Sequence, residues 1–165
     1  MVDVGYGDDD VANAACVVAA DWTAPAPIDA RVERVPGVAD YRPGAFYERE
    51  LGPVLAVLAR VREAGVPFGV VVVDGYVWLD AEGRKGLGAH LHDALALPVV
   101  GVAKRPFRGS AHAVEVHRGE SARPLYVTAV GIDADEAAAR ILAMHGPHRV
   151  PTLLRLVDQR SRGLA

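Results

Sequence analysis

The stretch Phe68-Gly69-Val70-Val71-Val72-Val73-Asp74-Gly75 reads as one buried strand with a carboxylate at its end. Four consecutive valines are too short a run for a lone helix, and β-branched residues favour the doubly covered strand of an α/β sheet. Gly75 frees the backbone to turn sharply directly after the acid. Ligands of open α/β sheets sit just past the carboxyl ends of such strands. Asp74 is therefore either a structural turn residue or the first member of a site. Other acids converging on it would decide between the two.

Upstream of this strand, a helix is expected from Pro53 to about Glu63, with Leu51, Leu55, Leu58 and Arg62 at helical spacing and proline in the first turn. Glu50 falls immediately before it, leading out of the turn Tyr41-Arg42-Pro43-Gly44. Earlier still, Met1 to Tyr6 alternates as a short strand carrying Asp3, Val11 to Trp22 reads as a second strand, and Ile28 to Val35 as a half-exposed third. Asp8, Asp9 and Asp10 lack the spacing of a calcium loop and read as a solvated hairpin turn.

Downstream, a helix is expected from about Leu87 to Ala96, and a buried strand from Pro98 to Lys104. Arg105 to Arg123 reads as a loop or loose hairpin, and Leu125 to Ile132 as a strand. Asp133 and Glu136 form a capping box for a helix reaching about Met144, where Gly146 ends it. A short helix over Val150 to Arg160 carries Asp158. A three-strand meander followed by strand–helix alternation predicts an α/β fold: a ribonuclease H-like mixed β-sheet flanked by helices.

Composition sets outer bounds. The 165 residues, 51% of them hydrophobic, suffice for a single domain over 1–165 with its own core. A net charge of −3 gives no global attraction to nucleic acid or membrane, so any strand-binding site needs a local basic patch or bound metal. Arg84, Lys85, Lys104, Arg105, Arg108, Arg149 and Arg155 offer such a patch, though surface solvation explains any one of them. Cys16 is the single cysteine and sits among Ala14, Ala15, Val17 and Val18, so no disulfide framework exists. No apolar run reaches a membrane span and no signal-peptide pattern opens the chain, which points to a soluble, cytoplasmic protein without a membrane partner. His90 and His92 stand two apart in a helix and cannot share one face, which argues against zinc; His90 reads as a core histidine.

Four acids, Asp3, Glu50, Asp74 and Asp158, lie on or beside elements that otherwise read as buried. Phosphodiester hydrolysis needs such a cluster: carboxylates hold Mg²⁺, which activates water and screens charge building on the phosphorus oxygens. Without a cation the acids would raise one another's pKa. Lys104, at a neighbouring strand end, could hold a phosphate or neutralise the leaving side. The competing reading is four unrelated acids at strand ends and caps.

Five short motifs in order resemble the endonuclease V family, a ribonuclease H-like family that cleaves inosine-containing strands. They are Asp3-Val4-Gly5-Tyr6, the turn Tyr41-Arg42-Pro43-Gly44 with Glu50 nine residues past its tyrosine, Val73-Asp74-Gly75, Gly101-Val102-Ala103-Lys104, and Arg149-Val150-Pro151 with Arg155-Leu156-Val157-Asp158. The resemblance runs over nearly the whole chain. It implies catalytic roles for Asp3, Glu50, Asp74, Lys104 and Asp158, with Mg²⁺, or Mn²⁺ in its place, held by the four acids. It further implies a nick at the second phosphodiester bond 3′ to inosine in DNA or RNA, in repair of deaminated adenine. Tyr41 would wedge into the base stack, and Arg42, Pro43, Gly44 and Gly75 would contact the substrate. Stacking on an aromatic ring replaces a lost partner worth roughly 1–3 kcal/mol, and a mispaired base is cheaper to extrude.

Two departures stand out: Asp80 occupies the place where family members commonly carry a histidine, and the family's helix before the first strand is missing. The alternative is a non-catalytic nucleic-acid-binding relative. Retention of all four acids argues against it, since a protein that only bound phosphate would gain by shedding negative charge.

Overall fold

The computed structural model describes residues 1–7, 11–36 and 47–165. In chain order these form β1 (Val2–Tyr6), β2 (Val11–Val18), β3 (Asp29–Pro36), α1 (Tyr47–Glu63), β4 (Val71–Asp74), α2 (Leu87–Leu95), β5 (Val99–Ala103), a 3₁₀ turn at Ser110–His112, β6 (Val114–Val116), β7 (Leu125–Val130), α3 (Ala134–Ala143) and α4 (Thr152–Ser161). The strands lie in the order β3-β2-β1-β4-β5-β7-β6. β1, β2 and β3 are the expected antiparallel meander, and β4 pairs parallel with both β1 and β5. This mixed sheet covered by helices is the ribonuclease H-like arrangement that the element order predicts.

The valine strand lies at the centre of the sheet because both its faces are covered. Val71 and Val73 face α1 and α2, packing with Val54, Val57, Val61 and Leu91. Val72 faces the other way, with Val100, Val127, Ala137, Ile141 and Leu154 of β5, β7, α3 and α4. Alternating side chains on a strand buried on both faces must all be apolar, which is why the sequence shows a run rather than a two-residue period. Among the described residues no helix is long and apolar enough to cross a membrane.

Several boundaries differ from expectation. The central strand starts at Val71 rather than at Phe68, and β2 ends at Val18 rather than at Trp22. The 105–123 segment is no plain loop: it carries the 3₁₀ turn and the short strand β6. Asp133 caps α3 through the N–H groups of Asp135 and Glu136, but Glu136 turns to Arg140, so only half of the capping box forms. The largest correction concerns α1, which begins at Tyr47, so Pro53 lies inside it and Glu50 sits within its first turn rather than before it. Proline there removes one intrahelical hydrogen bond. Burial of Val54, Val57, Leu58 and Val61 against the sheet compensates.

Candidate active site

The register of the two central parallel strands brings the first pair of acids together. Val2 pairs with Val73 across β1 and β4, so one residue further on Asp3 and Asp74 stand side by side, on the face opposite Val2 and Val73. That face carries α4. Its Leu154 and Val157 are buried against the sheet, and helical spacing from Leu154 aims Asp158 at the same edge. Ligand oxygens of Asp3, Asp74 and Asp158 lie within 4.8 Å of one another. Ligands on opposite sides of a Mg²⁺ ion stand about 4.2 Å apart, and an all-oxygen carboxylate set is what a hard divalent cation takes. The three residues fit such an ion with a small closing movement.

Positive charge is already threaded through this cluster. The Lys104 ammonium donates to Asp74 Oδ2 at 2.5 Å and to Asp158 Oδ1 at 2.9 Å, and Arg162 donates to the same Asp158 oxygen at 3.0 Å. Burial disfavours the charged lysine, yet the two carboxylates outweigh it and hold the ammonium above its usual range. Burial also pushes the Asp74 carboxyl up, and Lys104 pulls it only part of the way back.

Glu50 comes from the other side. It is only 7% exposed in the first turn of α1 and is not part of the three-oxygen group. Burial, with the Asp3 and Asp74 charges adding to it, pushes its carboxyl up to about 8. Burial and the two carboxylates outweigh the neighbouring Arg49 guanidinium, so this side chain holds its proton at neutral pH. Next to it, the Arg49 guanidinium lies 4.4 Å over the Tyr6 ring.

The profile of the family described as endonuclease V matches residues 1–132. An endonuclease V of Streptomyces avermitilis is 36% identical over 184 residues, covering 98% of this chain and 77% of the relative. The chain belongs to the endonuclease V family. Among solved structures, human ENDOV superposes with a TM-score of 0.78 at 24% identity, over 98% of this chain and 81% of that one. Endonuclease V of Ciona intestinalis, in complex with a 23mer DNA containing an inosine followed by a ribo-adenosine, superposes at 0.77 with 17% identity, over 98% and 82%. The endonuclease V family supplies the nuclease class, and these two structures share its fold.

Against the residues expected from sequence, Asp3, Asp74, Asp158 and Lys104 come together, with Glu50 behind them. Gly75 adopts φ of 145°, a conformation that side chains rarely take, and a Cβ on it would meet open space. Tyr41, Arg42, Pro43 and Gly44 lie outside the described residues, as do Asp8, Asp9 and Asp10. His90 is a half-buried ring stacked on Tyr47 at 3.7 Å rather than a core histidine. Asp80, in the place of the family's histidine, accepts from the Arg84 N–H and pairs with its side chain. The basic groove is thinner than expected. Lys104 is taken by the acids, Arg84 pairs with Asp80, Lys85 with Asp93, and Arg149 donates to the carbonyls of Lys104 and Pro124. Among the described residues, Arg105, Arg108 and Arg155 have no ion-pair partner.

Two supporting residues escaped the sequence reading. Ser161, 1% exposed, donates its hydroxyl to Asp3 at 2.7 Å. Its signal was the three-residue helical step from Asp158. Arg118 is buried with no acidic partner among the described residues and instead gives its guanidinium to the carbonyls of Leu142, Met144, Gly146 and His148, which shapes the turn leading into α4. No local pattern marks such a residue.

Proposed function

We propose that this chain is a divalent-cation-dependent endonuclease that nicks inosine-containing strands at the second phosphodiester bond 3′ to the lesion. The observation that carries this is the trio of carboxylate oxygens within 4.8 Å at the exit edge of the central strands. The motif match around it and the inosine-containing DNA bound by the Ciona relative supply the substrate class. Asp3, Asp74 and Asp158 would hold Mg²⁺ or Mn²⁺. The ion, when bound, supplies polarisation of the phosphate and of a water molecule.

The remaining roles belong to the chain itself. Lys104 offers the one ammonium in contact with Asp74 and Asp158, placed to offset charge that grows on the leaving side. Glu50, with its carboxyl near 8, can hold or release the proton that hydrolysis moves. Tyr41 would fill the gap left by the extruded base, and Arg42, Pro43, Gly44 and Gly75 would line its path.

Labelled inosine-containing DNA and RNA strands, incubated with Mg²⁺, with Mn²⁺ and with EDTA, test this reading. A single nick that appears only with a divalent ion and disappears when the inosine is replaced by adenine is expected. Tight binding with no nick in either ion would instead favour the non-catalytic relative.

A further inference from the structure

Among the described residues only two phenylalanine, tyrosine or tryptophan side chains are exposed, Tyr6 at 37% and Phe107 at 41%, each at or just past the end of a strand next to β4. Tyr6 stands three residues past Asp3 at the end of β1. Phe107 stands three residues past Lys104, beyond the end of β5. These strands are the two neighbours of β4, which carries Asp74. Three residues of chain separate Cα atoms by at most about 11 Å, so both side chains are anchored close to the site. Tyr6, an odd step from Asp3, turns to the Glu50 side of the sheet, where the Arg49 guanidinium lies 4.4 Å over its ring.

The Phe107 ring stands on a built support. Its backbone N–H donates to the Ser110 hydroxyl at 3.0 Å, and that hydroxyl donates back to the Phe107 carbonyl at 2.7 Å. The Tyr76 hydroxyl donates to the Arg105 carbonyl at 2.9 Å, and its ring packs tilted against Phe107 at 6.2 Å. Tyr76 itself follows Asp74 by two positions, which couples this support to the candidate site. Gly109, at φ of 98°, permits the turn that presents the ring. An apolar ring held outward by buried hydroxyls gains nothing for the core. Arg84 lies 5.6 Å over the ring, and Arg105 and Arg108 beside it have no acidic partner among the described residues.

We infer that Phe107 and Tyr6 are stacking platforms for nucleobases on opposite sides of the scissile phosphate, with Arg105 and Arg108 meeting the backbone phosphates on the Phe107 side. The occupant is a single nucleic-acid strand: aromatic faces and unpaired guanidinium groups together match bases and phosphates. The inference rests on the proposed strand-cleaving function, but stacking tolerates any base and so does not need inosine.

The test is a fluorescence scan. Single strands with and without inosine, each carrying 2-aminopurine at successive positions, are bound in Ca²⁺ to the whole protein and to its Phe107→Ala, Phe107→Trp and Tyr6→Leu variants. Quenching is expected at one position on each side of the cut. Phe107→Ala should abolish it on one side only, weaken affinity about 5- to 150-fold, and leave the thermal midpoint near that of the parent. Phe107→Trp should restore both signals, and Tyr6→Leu should abolish quenching on the other side. The inosine-free strand should show the same pattern and stay uncut when Mg²⁺ replaces Ca²⁺. A protein that stacks both strands yet in Mg²⁺ cuts neither overturns the strand-cleaving reading, one that cuts both overturns the inosine reading, and either leaves the platforms standing. Parent-like quenching and affinity in Phe107→Ala and Tyr6→Leu, or no binding of either strand, would overturn the platforms.

Discussion

The Ser161 hydroxyl donates to the Asp3 carboxylate at 2.7 Å, tying the last turn of the last helix to the first strand across 158 positions of sequence. The same oxygen lies 2.9 Å from the carbonyl of Asp158. Backbone approaches backbone here, because a Cβ on Gly5 would fall 2.2 Å from the Ser161 carbonyl oxygen. The spacing of Asp3 and Asp158 is thus set by a glycine contact away from the acids and by one hydroxyl that bonds Asp3 directly.

Gly5→Ala should therefore displace α4 and spread the acid trio. The cost expected is about 1–3 kcal/mol of stability, the usual penalty for overpacking, together with weaker Mn²⁺ binding. Thermal melting and Mn²⁺ titration on the same protein check both. A destabilised protein with unchanged Mn²⁺ affinity would show that the contact does not set the spacing.

Glu50 makes the metal-free protein pH-sensitive with a definite sign. Its folded carboxyl is raised to about 8, against the ordinary value of 4.5. The folded state therefore binds more protons than the unfolded one between those values, and stability falls as pH rises through them. Asp74 is raised as well and adds to the same slope. Melts in EDTA from pH 5 to 9 should show a falling midpoint, and Glu50→Gln should flatten much of that fall. A midpoint that climbs over this window would contradict the buried, protonated carboxyl.

Lys104 occupies the carboxylates that a divalent ion would also use. Lys104→Met should tighten Mn²⁺ binding by roughly tenfold or more, since a cation a few ångströms from the site no longer repels the ion. Cutting should be lost all the same, because the leaving side loses its ammonium. Calorimetric Mn²⁺ titration reads the first effect independently of the second. Weaker Mn²⁺ binding would mean that Lys104 orients the acids rather than competing for them.

The sheet and the trio were legible for the same physical reason. A central strand covered on both faces must be a solid apolar run, so a carboxylate closing it, as Asp74 does, is conspicuous; Asp3 on an alternating strand is nearly so. Glu50 was seen but misplaced. Proline normally opens a helix, and nothing local to Pro53 reveals that packing of Val54, Val57 and Val61 carries α1 six residues further back. Arg118, the Phe107 support and the bond from Ser161 to Asp3 were not read because their partners lie 24 to 158 positions away in sequence or on loop backbone. Long-range hydrogen bonds leave no period to read.

Asp74→Asn separates holding a strand from cutting it. The substitution keeps the shape and the acceptor oxygen of the side chain but removes one charge from the trio and from the Lys104 contact at 2.5 Å. With that partner neutral, the ammonium keeps only Asp158, and more of its charge is directed to an incoming phosphate. Strand affinity measured in Ca²⁺ should thus be equal to or tighter than that of the parent, while cutting in Mg²⁺ should fall below detection. The thermal midpoint in EDTA should hold or rise, since removing one of three neighbouring carboxylates relieves their repulsion. Parallel loss of affinity, cutting and midpoint would show Asp74 to be a structural residue at a strand end, the reading its position alone also allowed.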